Sequence, residues 1–289
     1  MTLERAELLL IEDTLALLAS PAGVPAYDFD FRLHFDCRHP YRLERAYEGI
    51  LRIGAPSNYA AAYEEAIRIG VRAFNDPSQH MLASEIEHWY PLIADFTPKS
   101  RIYDALPDVD AIEAEFGWPV FLKGSRQTSK HNPELSIIRD AAHYLTAREA
   151  YRQDPILYWQ RPVLREFATL APIAGQIAGK IRPSMEFRTF WLHGQCVGHG
   201  PYWYQVAPYK HAGIDAGLAL AEAAAKRVPV PFLVVDIAMT ADGRWIVIEC
   251  NDAQESGHAG IPPLSLWRNI IDACARKRAA DAQGKIFRQ

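Results

Sequence analysis

The chain has 289 residues, of which 49% are hydrophobic and 23% are charged, a composition typical of a globular protein with one large or two ordinary domains. Its formal net charge of −4, with no lysine- or arginine-rich block, argues against nucleic acid as a main ligand. The cysteines are too widely spaced for a zinc site or a disulfide framework. No apolar run is long enough to span a bilayer, so we expect a cytoplasmic protein without a membrane partner.

The first hundred residues have the rhythm of a small α/β domain with parallel strands. Residues 3–18 show a helical pattern, and a second helix is predicted over residues 59–69, ending at Gly70. A short strand follows, and then a helix that begins near Pro77 or Ser78 and runs toward Trp89. We therefore predict an N-terminal domain over residues 1–100 and a second domain over residues 101–289.

The second domain alternates helices with β-rich segments. A helix is predicted over residues 110–116, a strand over 119–124, a polar loop over 125–132, a helix over 147–152 and a strand over 162–170. A hairpin turning at His193-Gly194 follows, with an alanine-rich helix over residues 212–228. A C-terminal helix is predicted from Leu264 to about residue 283.

The segment 234–252 contains the most informative pattern, because two apolar runs flank Asp242-Gly243, a strong signal for a hairpin. A symmetric hairpin pairs Asp236 with Glu249, Ile237 with Ile248, and Thr240 with Trp245, and it places Asn251 on the same face as Glu249. Two carboxylates directly across a strand pair repel each other unless a cation lies between them. The hairpin therefore predicts a Mg²⁺ site at Asp236, Glu249 and Asn251, the alternative being a sheet edge whose polar residues reach water.

Basic residues in the strands and the polar loop are candidates for phosphate binding. Lys123 lies near the end of an apolar strand, where it could bind phosphate or simply extend into water. Lys130 or Arg126 could contact phosphates if the loop closes over them, although the loop could equally be an exposed turn. Arg165 and Arg188 lie in strands beside acidic residues, as structural ion pairs or as donors to a polyphosphate.

Several common site patterns are missing from the sequence. There is no GxxxxGK[ST] or GxGxxG motif, which removes the two commonest nucleotide-binding folds, and no motif for a covalent nucleophile. Aromatic residues 201–204 could line a pocket, but we interpret them as packing.

Taken in order, Lys123, the strand containing Arg165 and Glu166, the segment EFRTF with Arg188, and the terminal hairpin with its DG turn and E-x-N strand form a known series. The chain resembles the ATP-grasp superfamily over roughly residues 100–260. The paired strand arginines are similar to those of an atypical branch common in bacterial and phage genomes. The region before residue 100 then corresponds to a pre-ATP-grasp domain.

The resemblance implies a fold of two α+β lobes that clasp the nucleotide, a small lobe over about residues 101–165 and a large lobe over about 166–289. It implies that Asp236, Glu249 and Asn251 hold Mg²⁺, and that Lys123 and Arg188 contact the ATP phosphates in catalytic roles. Glu166 and the neighbouring Arg165 would lie at the strand that joins the lobes, beside adenine and ribose. The loop after Lys123, including Lys130, is not glycine-rich as in familiar members.

The resemblance further implies a ligase that joins a carboxylate to an amine of a small molecule or peptide through an acyl phosphate. The alternative is an ATP-binding assembly factor that docks on a protein partner with little turnover. Acceptor contacts are expected in the loop 253–263, with Gln254 and His258 as candidates, unless that loop is a plain connector. The sequence does not indicate an oligomeric state.

Overall fold

The structure is a computed structural model that describes residues 6–20, 29–54, 56, 58–128 and 132–286, without the side chains of residues 281–286. Three sheets and seven helices alternate along these residues, which confirms the predicted mixed α/β class. We refer to the sheets by chain order as the N-terminal, middle and C-terminal sheets. None of the helices in the described ranges is both long and apolar enough to cross a membrane.

The N-terminal sheet has the strand order β3-β1-β2-β4-β5. Its strands are β1 (Glu7–Ile11), β2 (Leu15–Ala19), β3 (Cys37–Arg38), β4 (Tyr47–Arg52) and β5 (Val71–Ala73). The strands β2, β4 and β5 run parallel, as predicted, whereas β1 pairs antiparallel with both β2 and β3.

The helix predicted over residues 3–18 is wrong; residues 3–5 lie outside the described part, and the rest forms the β1–β2 hairpin. Glu12 and Asp13 adopt positive φ angles of 49° and 47° in its turn. The leucines on both faces of the hairpin are buried, with Leu9 and Leu17 in one apolar cluster and Leu10 and Leu18 in another. A helix would bury only one stripe of these residues, so burial on two faces favours strands over the local helical pattern.

Three helices follow the N-terminal strands: α1 (Tyr59–Arg68), α2 (Pro77–Ser84) and α3 (Ile86–Ile93). Helix α1 ends at the predicted glycine, and α2 begins with a capping box in which Asp76 and Gln79 bond each other's backbone N–H groups. The single helix predicted from residue 77 toward Trp89 is divided, because Glu85 has an extended backbone with ψ 124°. Helices α2 and α3 pack against the C-terminal sheet.

The middle sheet has the strand order β6-β9-β7-β8. Its strands are β6 (Ser100–Ile102), β7 (Val120–Gly124), β8 (Ile137–Ile138) and β9 (Pro162–Glu166), and helices α4 (Val109–Glu115) and α5 (Ala141–Gln153) cover it. Helix α5 begins earlier than the predicted residue 147, because the Asp140 side chain caps it by accepting a bond from the His143 N–H. Lys123 and Arg165 belong to the adjacent strands β7 and β9.

The C-terminal sheet is antiparallel, with the strand order β11-β10-β12-β13. It consists of β10 (Glu186–Leu192), β11 (Gln195–Pro201), β12 (Phe232–Met239) and β13 (Trp245–Asp252), with helices α6 (Ile214–Arg227) and α7 (Pro263–Ile286). One face packs on α6, whereas the other carries Phe232 and Val234 into a core with α7 and the N-terminal sheet. By alternation Asp236 follows on that second face, so apolar packing and the predicted metal site share it.

A β-bulge in β13 sets the register of the terminal hairpin. Near the turn Met239 pairs with Trp245 and Ile237 with Val247, one residue away from the predicted pairs. The register shifts between Ile237 and Asp236, so that Ile248 is the additional residue and Asp236 pairs with Glu249 as predicted. The prediction was therefore wrong close to the turn and correct for the two carboxylates.

Candidate functional site

The candidate site lies between the middle and C-terminal sheets, where three neighbouring cavities share lining residues. A largely apolar cavity of about 360 Å³ has Phe121 and Ile248 in its walls. A small cavity of about 70 Å³ shares both residues and is also lined by Lys123, Thr128 and Glu249. A polar cavity of about 310 Å³ shares Thr128 and Glu249 with the small one. The shared walls join the three cavities into one cleft, which we call the interlobe cleft.

Two carboxylates and two cations meet in this cleft. Asp236 and Glu249 are direct partners across β12 and β13. Arg188 binds Asp236 with a fork, Nε to Oδ1 at 2.8 Å and Nη2 to Oδ2 at 2.7 Å. Lys123, which is only 3% exposed, donates a hydrogen bond to Glu249 Oε1. The cations offset the repulsion that the facing carboxylates would otherwise cause.

Arg165 reaches the cleft from the middle sheet with one hydrogen-bond donor to spare. Its Nε donates to Ser100 Oγ at 2.8 Å, and its Nη1 donates to the carbonyl oxygen of Ile248 at 2.7 Å. Its Nη2 is buried and has no hydrogen-bond partner among the described residues. Burial lowers the pKa of this guanidinium, and the nearby Glu249 carboxylate opposes the effect. The side chain lines both the apolar and the small cavity, where Nη2 can meet a polar ligand.

The remaining predicted site residues have different positions. Asn251 lines the polar cavity together with Arg188 and Glu249. Glu166 ends β9, is exposed and lines the apolar cavity. Lys130 lies outside the described residues, so its predicted phosphate contact stays a prediction.

Residues 125–128, the described start of the polar loop, are anchored by Gln160. Its Oε1 accepts hydrogen bonds from the backbone N–H groups of Arg126 and Gln127, both at 2.8 Å. Gly124 N–H donates to the carbonyl oxygen of Gln127 at 2.9 Å. A Cβ atom at Gly124 would lie 2.2 Å from Gln160 Oε1, so this strand end needs a glycine. This part of the loop is therefore held beside Lys123 and is not the loose turn allowed by the sequence.

A buried polar cluster behind the polar cavity was not found from the sequence. His80 Nδ1 lies 2.9 Å from Asp252 Oδ2, and Asn75 Nδ2 donates to Asp252 Oδ1 at 2.8 Å. Arg126 Nη2 lies 3.1 Å from His80 Nε2, and Glu255 Oε1 lies 3.7 Å from the same atom. These residues are far apart in the chain and form no motif; the position of Asp252 directly after the E-x-N strand was the one available signal.

The two residues suggested for acceptor contacts have other roles. Gln254 is fully buried, where its side chain donates to Tyr59 Oη at 2.7 Å and accepts from the Leu51 N–H at 3.1 Å. His258 is buried and accepts a hydrogen bond from Trp267 Nε1 at 3.2 Å. Both side chains therefore tie the C-terminal loop to its surroundings and do not line the polar cavity.

The aromatic residues that we interpreted as packing contribute to the cleft. Tyr202 and Trp203 line the small cavity, and the Arg188 guanidinium carbon lies 5.1 Å from the centroid of the Tyr202 ring. Trp203 Nε1 donates to the buried Glu186 Oε1 at 2.8 Å. Glu186, which also lines the small cavity, is thus a further cleft residue that the sequence interpretation left out.

The donor chemistry of the cleft fits a magnesium nucleotide. Among the described residues no three His, Cys, Asp or Glu side chains group as a metal site. The available set is instead two carboxylates and an amide, from Asp236, Glu249 and Asn251, and hard oxygen donors of this kind suit Mg²⁺ when phosphate oxygens complete its shell. The spare Nη2 donor of Arg165 and the nearby Lys123 add cationic groups for an anion.

The paired lobes, the antiparallel C-terminal sheet and the carboxylate-lined interlobe cleft define an ATP-grasp protein. A family profile of the ATP-grasp domain, that of family 3 of one clade within the superfamily, matches residues 87–270, and the chain belongs to this family. The resemblance inferred from the sequence is thereby confirmed.

Solved structures share the fold. D-alanine–D-alanine ligase from Bacillus anthracis complexed with ATP is 13% identical, with a TM-score of 0.55 over 81% of this chain and 80% of that one. The ATP-grasp ligase PsnB complexed with minimal precursor is 15% identical, with a TM-score of 0.50 over 83% and 82%. A RimK domain ATP-grasp protein from Sphaerobacter thermophilus DSM 20745 is 17% identical, with a TM-score of 0.50 over 72% of each chain. No curated protein sequence matches this chain.

Proposed function

We propose that the protein is an ATP- and Mg²⁺-dependent ligase that joins a carboxylate to an amine through an acyl phosphate. The observation that carries the proposal is the direct pairing of Asp236 with Glu249, each bound by a cation, at the centre of the interlobe cleft. Membership of the ATP-grasp family supports it, because this fold is generally that of ATP-dependent ligases.

The three cavities suit the three parts of such a reaction. The apolar cavity, walled by Phe121 and Ile248, suits adenine, and Glu166 beside it can bind ribose. The small cavity, lined by Lys123 and Arg165, suits the phosphates. The polar cavity adjoins it at Glu249 and leaves room for an acceptor. This order places the phosphate to be transferred next to the acceptor.

The residues of the chain would act by charge and position, since no nucleophile of the protein is required. Asp236, Glu249 and Asn251 would hold Mg²⁺, which supplies positive charge to the phosphate oxygens. Lys123 and Arg188 now bind the two carboxylates, and when the metal replaces them there they can bind phosphate oxygens. The same two cations therefore serve the empty and the loaded cleft.

The chemistry itself takes place between the substrates. A carboxylate oxygen attacks the γ-phosphorus as the bond to ADP breaks, and an amine nitrogen then attacks the acyl carbon as phosphate leaves. Among proteins of the same fold are a D-alanine–D-alanine ligase and a ligase solved with a precursor peptide. By analogy with those proteins, the substrates here are small molecules or peptides.

The domain limits belong to the same proposal. Residues 1–100 form the pre-ATP-grasp domain, residues 101–165 the small lobe and residues 166–289 the large lobe. The separate apolar clusters of the N-terminal and middle sheets support this division. Helices α2 and α3 pack on the C-terminal sheet, and thereby tie the first domain to the large lobe.

Thermal unfolding with nucleotide and metal tests the proposed site. Mg·ATP at about a hundred times its dissociation constant should stabilise the protein by about 2.7 kcal/mol, and chelation should remove this effect. Asp236→Asn combined with Glu249→Gln should lose the stabilisation. Asp242→Asn, the same change at an exposed position in the turn of this hairpin, should keep it.

ADP release then tests the activity. A ligase releases ADP only when carboxylate and amine are both present, so amino acids and peptides should be screened with Mg·ATP. Stabilisation that the double variant retains would contradict the proposed metal site. Stabilisation by nucleotide without release for any acceptor would favour the alternative, an assembly factor that binds ATP.

A further inference from the structure

The buried cluster around His80 borders the polar cavity with an unusual mixture of charges. Arg126, Asp252 and Glu255 line that cavity, and His80 contacts all three. The side chains of Arg126 and Glu255 are 21% and 15% exposed. The cavity wall therefore presents one guanidinium and one carboxylate, with the His80–Asp252 pair behind them.

The hydrogen bonds fix the state of His80. A guanidinium has no acceptor, so in the 3.1 Å contact with Arg126 Nη2 the His80 Nε2 atom must accept. Nδ1 then carries the proton and donates to Asp252 Oδ2 at 2.9 Å. The Tyr59 ring stacks on the imidazole at 3.9 Å between centroids and 2° between planes. His80 is therefore a neutral, immobile support that orients Arg126.

Glu255 is held close to these groups and can change its charge near neutral pH. Its Oε1 lies 3.7 Å from His80 Nε2, and its Oε2 lies 3.9 Å from Arg126 Nη2. Burial raises the pKa of Glu255 to about 7, the Asp252 charge adds to this effect, and His80 and Arg126 oppose it. Among the described residues these three are the charged or titratable groups that face Glu255.

A ligand that satisfies both charges carries a negative and a positive group. A carboxylate matches the planar fork of Arg126, and an ammonium group matches Glu255. The other cations of the cleft, Lys123 and Arg188, already contact carboxylates across the sheet. Arg126 and Glu255 are thus the pair on the polar cavity wall that can select a zwitterion.

We propose that Arg126 and Glu255 form the acceptor subsite, supported by His80, and that the acceptor is a free amino acid or a chain end that carries both an amine and a carboxylate. Arg126 binds the carboxylate and Glu255 binds the amine in its ammonium form. This inference rests on the proposed function, because it assigns the amine substrate of the same reaction. It replaces Gln254 and His258, whose side chains are engaged elsewhere.

Ligand binding to the protein loaded with a non-hydrolysable Mg·ATP analogue tests the subsite. The probes are the twenty L-amino acids, each with its N-acetyl and its carboxamide derivative. For the amino acid that binds best, loss of either charge should weaken binding by about tenfold or more, as expected for a charge-assisted hydrogen bond. Glu255→Gln should remove the preference over the N-acetyl derivative, and Arg126→Gln the preference over the carboxamide.

The pH dependence gives a second readout. Ionised Glu255 is required for an ammonium ligand, so affinity should fall about tenfold between about pH 8 and about pH 6 in the parent and stay flat in Glu255→Gln. Glu222→Gln, an exposed change on α6, should keep the parent profile. Unfolding curves of each variant establish that it is folded.

Two outcomes would overturn the subsite: no amino acid binds while the nucleotide analogue still stabilises the protein, or the variants bind amino acids and derivatives as the parent does. Failure of the nucleotide analogue to stabilise the parent would instead count against the proposed function. In that case amino-acid binding to the nucleotide-free protein, measured in parallel with the same variants, decides the subsite by the same criteria.

Discussion

The Arg165 guanidinium donates a 2.7 Å hydrogen bond to the carbonyl oxygen of Ile248, the additional residue of the bulge in β13. Arg165 belongs to the middle sheet and Ile248 to the C-terminal sheet, so this bond joins the two walls of the interlobe cleft. The bulge that brings Asp236 opposite Glu249 thus also provides the acceptor for the arginine. One irregularity in a strand positions both the carboxylates and a cation of the site.

Replacing Arg165 by Met should lower both stability and nucleotide affinity. The change leaves Ser100 Oγ and the Ile248 carbonyl oxygen without their donor, which costs about 1–3 kcal/mol for each buried group that finds no other partner. Urea unfolding and titration with Mg·ATP measure the two effects. Arg161→Met, at an arginine whose side chain is 45% exposed, should change stability by less than about 1 kcal/mol. Equal effects of the two changes would contradict the assigned role.

The ion pair of Arg188 and Asp236 should show strong coupling in the nucleotide-free protein. Both side chains are largely buried, at 11% and 4% exposure, so Arg188→Gln or Asp236→Asn alone leaves a poorly compensated charge and should cost about 3–5 kcal/mol. The double variant should be less destabilised than the sum of the single ones. A double-mutant cycle by urea unfolding measures this. Additive effects would show that the pair contributes no direct interaction.

The backbone anchor at Gln160 should control the affinity for nucleotide. Gln160→Leu keeps the size of the side chain but removes the acceptor for the N–H groups of Arg126 and Gln127. We expect weaker Mg·ATP binding and a loss of stability of about 1–3 kcal/mol. Gly124→Ala should act in the same direction, because its Cβ would displace the Gln160 side chain. Gln153→Leu, at an exposed position on α5, is the control; parent-like affinity in Gln160→Leu would show that the anchor is not needed.

Two buried groups should give opposite contributions to the pH dependence of folding. Burial lowers the pKa of His258 to about 3, so its contribution to stability is present above the ordinary value of 6.5 and is lost as pH falls toward 3. Burial raises the pKa of Glu255 to about 7, so its contribution is present below the ordinary value of 4.5 and is lost as pH rises through 7. The signs differ because burial disfavours the charged form of each group.

Urea unfolding between pH 4 and pH 8 measures these contributions. His258→Gln keeps an acceptor for Trp267 Nε1, and should flatten the loss of stability below about pH 6.5, which has a slope of at most about 1.4 kcal/mol per pH unit. Glu255→Gln should reduce the loss above about pH 6 and leave the acid side as in the parent. A parent-like acid slope in His258→Gln would assign that slope to other groups.

The sequence by itself determined the parts of the fold that rest on local chemistry. The Asp242-Gly243 turn and the apolar runs beside it determined the terminal hairpin, and strand alternation determined which residues share its carboxylate face. The glycine at position 70 and the His193-Gly194 turn, with φ values of 48° and 77° at the latter, also followed from local preferences. These features depend on backbone sterics and strand period, which neighbouring residues set.

Only the tertiary structure decided the features that depend on residues distant in the chain. The β1–β2 hairpin replaced a predicted helix, because packing on two faces buries leucines that a helix would expose. The bulge at Ile248 follows from a carbonyl that an arginine of another sheet bonds. His80 and Asp252, separated by 172 positions, meet because α2 packs on β13. Burial and charge pairing are properties of the assembled chain, so no local pattern contains them.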